Sequence, residues 1–120
     1  MGDVLVIVVE PAKSWLHGLR HNDRDTLLQI AAAINVLQRE GPALGRPLVD
    51  RITGSSISNL KELRTGSSGA SEVRVLFVFD PGRNAVILVG GDKAGNWSGW
   101  YRTAIKEAED AYKAYEEDQE

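Results

Sequence analysis

The chain has 120 residues, 42% of them hydrophobic and 26% charged, which fits one globular domain with a core of its own and argues against two. With no cysteine there are no disulfides, thiolate nucleophiles, cysteine zinc sites or iron–sulfur clusters, and two His and the carboxylates remain as the strong ligands. A formal net charge of -3 argues against a surface coated in positive charge for nucleic acid.

That charge is unevenly spread. Six Lys/Arg balance six acids through residue 59, six basic against four acidic residues give +2 over 60–102, and two Lys against seven acids give -5 over 103–120. A local basic site is therefore compatible with an acidic total. The longest apolar run, Val4 to Val9, is far short of the roughly 20 residues of a membrane helix and stops at Glu10-Pro11. Asp3 stands where a secretory signal carries positive charge, and no small-residue cleavage site follows, so a soluble, cytoplasmic protein without a membrane partner is expected.

In chain order, Val4 to Val9 is short and rich in β-branched residues, which predicts a strand buried on both faces. Pro11 suits the first position of a helix, and Trp15, Leu16 and Leu19 form its apolar patch before Arg20-His21. Asn22 is a good N-cap for a second helix, with Asp25 in its first turn and Leu27, Ile30, Ala31, Ile34 and Leu37 at helical spacing until Gly41-Pro42. Its apolar face should lie on the sheet that the first strand joins.

Gly41 to Ser58 reads as a long polar connection and a binding-loop candidate. Leu60 to Arg64 is a short strand, Thr65 to Ser71 a Gly/Ser turn, and Val73, Val75, Phe77 and Phe79 alternate through the next strand. Asp80-Pro81-Gly82 turns the chain, and Ala85 to Val89 returns as a buried strand, so the last three strands should form an antiparallel meander. Gly90-Gly91 ends the sheet. From about Tyr101 to Glu117, Ile105, Ala108, Ala111, Tyr112 and Tyr115 predict the last helix. The reading is a single α+β domain over 1–120, order β-α-α-β-β-β-α, with a mostly antiparallel four-stranded sheet packed against helices and an acidic helix and tail over 103–120.

His17 and His21 share a helix face at metal-ligand spacing, but Gly18 weakens that helix and no Glu lies between them, so two surface histidines are preferred. Gly54-Ser55-Ser56 and Gly66-Ser67-Ser68-Gly69 are turn compositions without a nucleophile elbow. Gly90-Gly91-Asp92-Lys93-Ala94-Gly95 has the composition of a phosphate cradle without a Walker A or dinucleotide fingerprint. What remains is Glu62, Arg64, Arg74 and Lys93 with the cluster Trp97, Trp100, Tyr101 and Arg102. Alternation gives Glu62 and Arg64 one face and turns Arg74 away from Val73, Val75, Phe77 and Phe79. These charges form either a structural ion pair (Glu62 with Arg64 or Arg74) or a functional site, and the aromatic cluster either packs the core or stacks on bases.

Through Leu60-Lys61-Glu62-Leu63-Arg64, Val73-Arg74-Val75-Leu76-Phe77, Ala85 to Lys93 and the aromatic-basic entry to the last helix, the chain resembles the RelE/ParE toxin superfamily, in its phage-derived HigB-like branch. The resemblance implies a RelE-like fold and the toxin of a type II toxin–antitoxin pair. HigB and RelE members cut messenger RNA in the ribosomal A site, without metal or other cofactor, by driving the ribose 2′-OH onto the adjacent phosphate. Carried onto this sequence, the likeness implies a catalytic set of Arg64, Arg74, Lys93, Tyr101 and Glu62. It implies RNA contacts from Lys61, Trp97, Trp100 and Arg102. The partners implied are the ribosome, mRNA and a cognate antitoxin of helix-turn-helix type. The alternatives are a ParE-type gyrase poison and a catalytically weak, toxin-like interaction domain. The acidic last helix should keep RNA on the face away from it, unless it shifts when antitoxin binds.

Overall fold

Val73–Phe79 forms the central strand because its side chains have an apolar layer to enter on either face: Val73, Val75 and Phe77 turn to one, Leu76 and Val78 to the other. The computed structural model describes residues 3–65 and 72–119. Its elements are β1 (Val6–Val8), α1 (Ala12–Asn22), α2 (Arg24–Glu40), a 3₁₀ turn (Gly41–Ala43), β2 (Val49–Arg51), β3 (Lys61–Arg64), β4 (Val73–Phe79), β5 (Ala85–Asp92) and α3 (Trp97–Asp118). The sheet order is β1-β5-β4-β3-β2, with β1 parallel to β5 and every other neighbour antiparallel. Helices α1 and α2 cover one face and α3 covers the other.

The α+β class and the antiparallel meander of β3, β4 and β5 are as expected, but the described sheet has five strands, not four. The added strand, β2, lies inside the segment read as a connection. It pairs Val49, Asp50 and Arg51 with Leu63, Glu62 and Lys61, and only Val49 enters the core, so no alternation marks it in the sequence. The first strand is also shorter than Val4 to Val9. It stands at the sheet's edge with half-buried side chains rather than buried on both faces.

Asn22 is the last residue of α1, and Asp23 caps α2 instead, its carboxylate accepting from Thr26 N–H at 3.2 Å and Thr26 Oγ1 at 2.6 Å. Pro11 is the N-cap of α1, just before its first helical residue. On α2 the buried positions are Thr26, Ile30, Ala33 and Leu37, while Ala31 faces solvent. The last helix begins at Trp97, earlier than Tyr101. The Gly/Ser turn over 66–71 lies outside the described residues. His17 and His21 are exposed on α1 with ring centroids 6.4 Å apart.

Gly90 and Gly91 do not end the sheet. They continue β5, opposite Val75 and Arg74, and a Cβ on either would meet an indole: Trp15 of α1 over Gly90 and Trp100 of α3 over Gly91. Two adjacent residues thus let a helix approach each face of the same strand. At the other end of α3, Tyr115 donates to Asp80 in the β4–β5 turn at 2.6 Å, tying the helix to the sheet.

Gly90→Ala should lower the unfolding free energy by about 1–3 kcal/mol, read by urea denaturation, since Trp15 must move to make room. The Tyr115 phenol is pushed up to about 12, chiefly by its hydrogen bond to Asp80, from an ordinary 10.0. Its contribution to stability is fully present below pH 10 and fades as pH rises through about 12. Tyr115→Phe should remove that alkaline dependence and cost about 1.5–3 kcal/mol at neutral pH, the range for a hydrogen bond to a charged group.

Candidate active site

The site grows from the register of β3 against β4. Arg64 stands directly opposite Arg74, a pairing of like charges that a sheet does not favour. Two residues back on the same face, Glu62 supplies the compensation. One carboxylate oxygen lies 3.7 Å from Arg74 Nε and the other 4.0 Å from Arg64 Nε. Glu62 and Arg74 are 6% and 7% exposed, so both charges are held almost out of water and must answer each other.

Arg74 N–H at Nη1 donates to Val73 C=O at 2.9 Å, while its buried Nε has no hydrogen-bond partner among the described residues. Arg64, partly exposed, also lies 3.8 Å from Asp50 on β2. None of these ion pairs is short enough to be a hydrogen bond. The guanidinium groups are neutralised at a distance rather than clasped.

Lys93 enters from the end of β5. Asp92 Oδ1 accepts from Glu72 N–H at 2.8 Å and Ala94 N–H at 2.9 Å, and Lys93 N–H donates to Glu72 C=O at 3.0 Å, which turns the chain there. The ammonium is carried inward to 4% exposure, 3.8 Å from Glu72 and 5.0 Å from the centre of the Trp97 ring.

The first turns of α3 supply the remaining wall, Trp97, Tyr101 and Ile105 falling at successive i, i+4 positions. Tyr101 donates to Glu62 Oε1 at 2.5 Å. Burial first, then the hydrogen bond and the negative charge of Glu62, raise the Tyr101 phenol far above its ordinary value, so it is a neutral donor. Trp97 is 61% exposed and its ring stands at the mouth.

Together these residues enclose a cleft of about 480 Å³, lined by four cations (Arg51, Arg64, Arg74, Lys93) and three carboxylates (Asp50, Glu62, Glu72). Its balance is positive in a chain that is negative overall. It lies on the α3 face of the sheet, against the opening turns of that helix, not on the face away from it.

Of the residues the sequence singled out, the fold brings Glu62, Arg64, Arg74, Lys93, Trp97 and Tyr101 to this one place. Trp100 instead packs on Gly91 and the α3 core layer, Lys61 turns to the other face beneath Phe79, and Arg102 is exposed on α3 outside the cleft lining. Asp50, Arg51, Ile52, Thr53 and Glu72 also line the cleft; the first four fall in the Gly41–Ser58 segment read as a binding-loop candidate, but none of the five was singled out. Four of these five sit on or just after β2, whose pairing leaves no local signature. Among the described residues no group of three or more His, Cys, Asp or Glu is placed to hold a metal ion, and no helix is long and apolar enough to cross a membrane.

A small helix-covered sheet with a mixed cationic and acidic cleft, a held phenol and an exposed indole defines an α+β protein with one charged cleft on the α3 face. Comparison with known proteins specifies the lineage. The chain belongs to the family of Gp49-like phage-derived proteins (DUF891), whose family model matches residues 14–113. It is 54% identical over 104 residues to the Mycobacterium tuberculosis protein named "Putative toxin HigB2", matching 87% of this chain and 50% of that protein. It is 44% identical over 100 residues to "Putative toxin HigB3" of the same organism, 83% of this chain and 82% of that one. The chain thus spans about half the length of the first relative and most of the second. The likeness to HigB-type proteins therefore extends well beyond the short motifs that first suggested it. No solved structure matches.

Glu62→Gln should bring the Tyr101 phenol part of the way back toward its ordinary value, because the negative charge beside it is lost and the hydrogen bond no longer runs to an ionised acceptor, while burial remains. Spectrophotometric titration of tyrosine absorbance, with Tyr101→Phe as reference, checks this. A Tyr101 ionisation unaltered by Glu62→Gln would contradict the hydrogen-bonded pair.

Proposed function

We propose that this protein is a HigB-like toxin of a toxin–antitoxin pair, acting as a metal-independent endoribonuclease on mRNA at the ribosome. The observation that carries the reading is the convergence of Arg64, Arg74 and Lys93 on one cleft shared with Glu62 and Tyr101. Each of these cations has a carboxylate within 4.0 Å, but none of those pairs is short enough to be a hydrogen bond, and the cleft keeps four cations to three carboxylates.

In this reading the scissile phosphate enters among the three cations. Attack of the ribose 2′ oxygen forms a new bond to phosphorus and builds charge on the phosphorane oxygens. The bond from phosphorus to the 5′ oxygen then breaks, leaving a 2′,3′-cyclic phosphate and a 5′-hydroxyl end. Fixed cations aimed at the developing charge act most strongly where water is excluded. Glu62 takes the 2′ proton and Tyr101, kept protonated by its surroundings, gives a proton to the departing 5′ oxygen. Positioned acids and bases of this kind contribute about 10²–10⁴-fold each. Trp97 stacks on a base opened out of the message.

A toxin of this kind is held silent by a cognate antitoxin, and the names of both relatives support that partner for this chain. Arg74→Ala and Lys93→Ala should each reduce cleavage by about 10²–10³-fold, the loss expected for one transition-state donor. Sequencing of mRNA 5′ ends after brief induction checks this, with circular dichroism confirming the fold. Cutting that persists in both variants would refute the site. Intact mRNA with DNA breaks and replication arrest would put a ParE-type gyrase poison in its place, and normal growth without any partner would leave a toxin-like binding domain.

A further inference from the structure

The face of α3 that brings Trp97, Tyr101 and Ile105 to the cleft carries Glu109 at the next step of the same i, i+4 series. Glu109 itself is not among the cleft's lining residues. Its Oε2 accepts from Ser55 Oγ at 2.9 Å and from Ser56 N–H at 2.8 Å, residues 54 and 53 positions away in sequence. These bonds, the one from the Ser56 backbone foremost, hold its carboxyl below the usual carboxylate value, so it is ionised at neutral pH.

The segment that Glu109 holds runs from β2 to β3. It lines the cleft through Ile52 and Thr53 and, further along, a separate groove of about 810 Å³ through Ser56 to Asn59. Gly54, at φ +85°, turns the chain between the two. Ile52 N–H donates to Leu60 C=O at 2.9 Å and Leu60 N–H to Ile57 C=O at 3.4 Å, but residues 53–56 make no backbone–backbone hydrogen bond among the described residues. Ser55 Oγ accepts from Ile57 N–H at 3.0 Å, a bond within the segment. Among the described residues, the polar attachment of 53–56 to the rest of the fold is therefore Glu109.

This segment also differs from the rest of the cleft in charge. No residue from Ile52 to Asn59 is ionisable, whereas the remaining lining includes four cations and three carboxylates. An uncharged wall gives a phosphate little. It suits the ribose and base beside a phosphate, which are recognised by hydrogen bonding and packing. Thr53 offers a hydroxyl for the first and Ile52 an apolar surface for the second.

We propose that Glu109 is a positioning residue for the cleft: it pins the segment after β2, so that Ile52 and Thr53 form a fixed, uncharged wall for the sugar and base next to the bound phosphate. The wall's role toward RNA rests on the nuclease reading; the tether does not. A carboxylate so near an RNA site acts otherwise only as a repelling charge. The two roles have opposite signs: loss of a repelling charge tightens RNA binding, and loss of a tether weakens it.

Two variants of the full chain separate the acceptor from the charge. Glu109→Gln keeps a carbonyl oxygen able to accept both bonds and removes the charge. Glu109→Ala removes both and suits a helix. Without RNA, hydrogen exchange at the Ile52 amide should quicken about tenfold in Glu109→Ala, the equivalent of one net hydrogen bond. It should stay near the unsubstituted rate in Glu109→Gln, and both variants should give the circular dichroism of the folded chain. On message-programmed ribosomes, Glu109→Ala should raise KM about tenfold with kcat unchanged, as loss of uniform binding does, and Glu109→Gln should restore KM. Unchanged exchange at Ile52 in Glu109→Ala, or a KM that falls in both variants, would overturn the proposal. An unsubstituted chain that cuts no message, with Ile52 exchange still quickened in Glu109→Ala, would remove the nuclease reading and bear out the tether.

Discussion

The Glu62 carboxylate is the constraint on which the cleft depends. It lies within 4.0 Å of two arginines on neighbouring strands and accepts the phenolic proton of Tyr101 from a helix. Three elements, β3, β4 and α3, are thereby drawn to one anionic centre. Removing a charge so deeply placed would expose the mutual repulsion of Arg64 and Arg74 and leave Arg74 uncompensated in a nearly dry environment. The arrangement is costly for a sheet unless it serves a ligand. The buried donor of Arg74 that has no hydrogen-bond partner among the described residues, Nε, lies on the side facing this same carboxylate. Glu62 thus keeps the two arginines together, and it is the same carboxylate to which the proposed reaction gives the 2′ proton.

The cleft can exist only because the sheet is thin at its end. With Gly91 opposite Arg74, Trp100 can lie flat against β5, and α3 enters close enough for Tyr101 to reach across to β3. A larger residue at Gly91 would lift the first turns of α3 and lengthen the Tyr101–Glu62 contact. Gly90 does the corresponding service for Trp15 on the opposite face. Packing and site geometry are therefore coupled through two residues that carry no chemistry of their own.

How much of this was legible in the sequence follows from the range of each signal. The alternation of Val73, Val75 and Phe77 and the helical spacing of Ile30 and Leu37 are local, and they located β4 and α2 and turned Arg74 away from the Val73, Val75 and Phe77 row, without telling which helix covers the face it enters. Strand β2 was invisible because it holds one core residue and owes its existence to pairing with β3, some ten residues away in sequence. Its side chains Asp50 and Arg51 were consequently missing from the anticipated site. The aromatic cluster divided in a way that composition could not foresee. Trp97, Trp100 and Tyr101 lie within five positions, yet helical rotation and the gap at Gly91 send Trp100 into the core, Tyr101 to Glu62 and Trp97 to the mouth. The Gly90-Gly91 pair, whose composition suggested a phosphate cradle or a strand end, is instead an accommodation for two indoles.

The acidic C-terminal helix, which seemed to conflict with an anionic substrate, is reconciled by distance and by how its acids are used. At 1.5 Å per residue, the acidic run Glu116–Asp118 lies roughly 22–26 Å along the axis from Tyr101, well beyond a Debye length of about 8 Å at physiological salt. Closer in, Glu109 is engaged with the β2–β3 loop, accepting from Ser55 Oγ at 2.9 Å and Ser56 N–H at 2.8 Å, while Lys106 and Asp110 pair with each other at 3.1 Å. The end of α3 that meets the cleft is its N-terminus, where the aligned peptide dipoles carry partial positive charge. So the field felt among Arg64, Arg74 and Lys93 is set by those cations, the carboxylates of Asp50, Glu62 and Glu72 beside them and the opening turns of the helix, rather than by the acidic far end of α3.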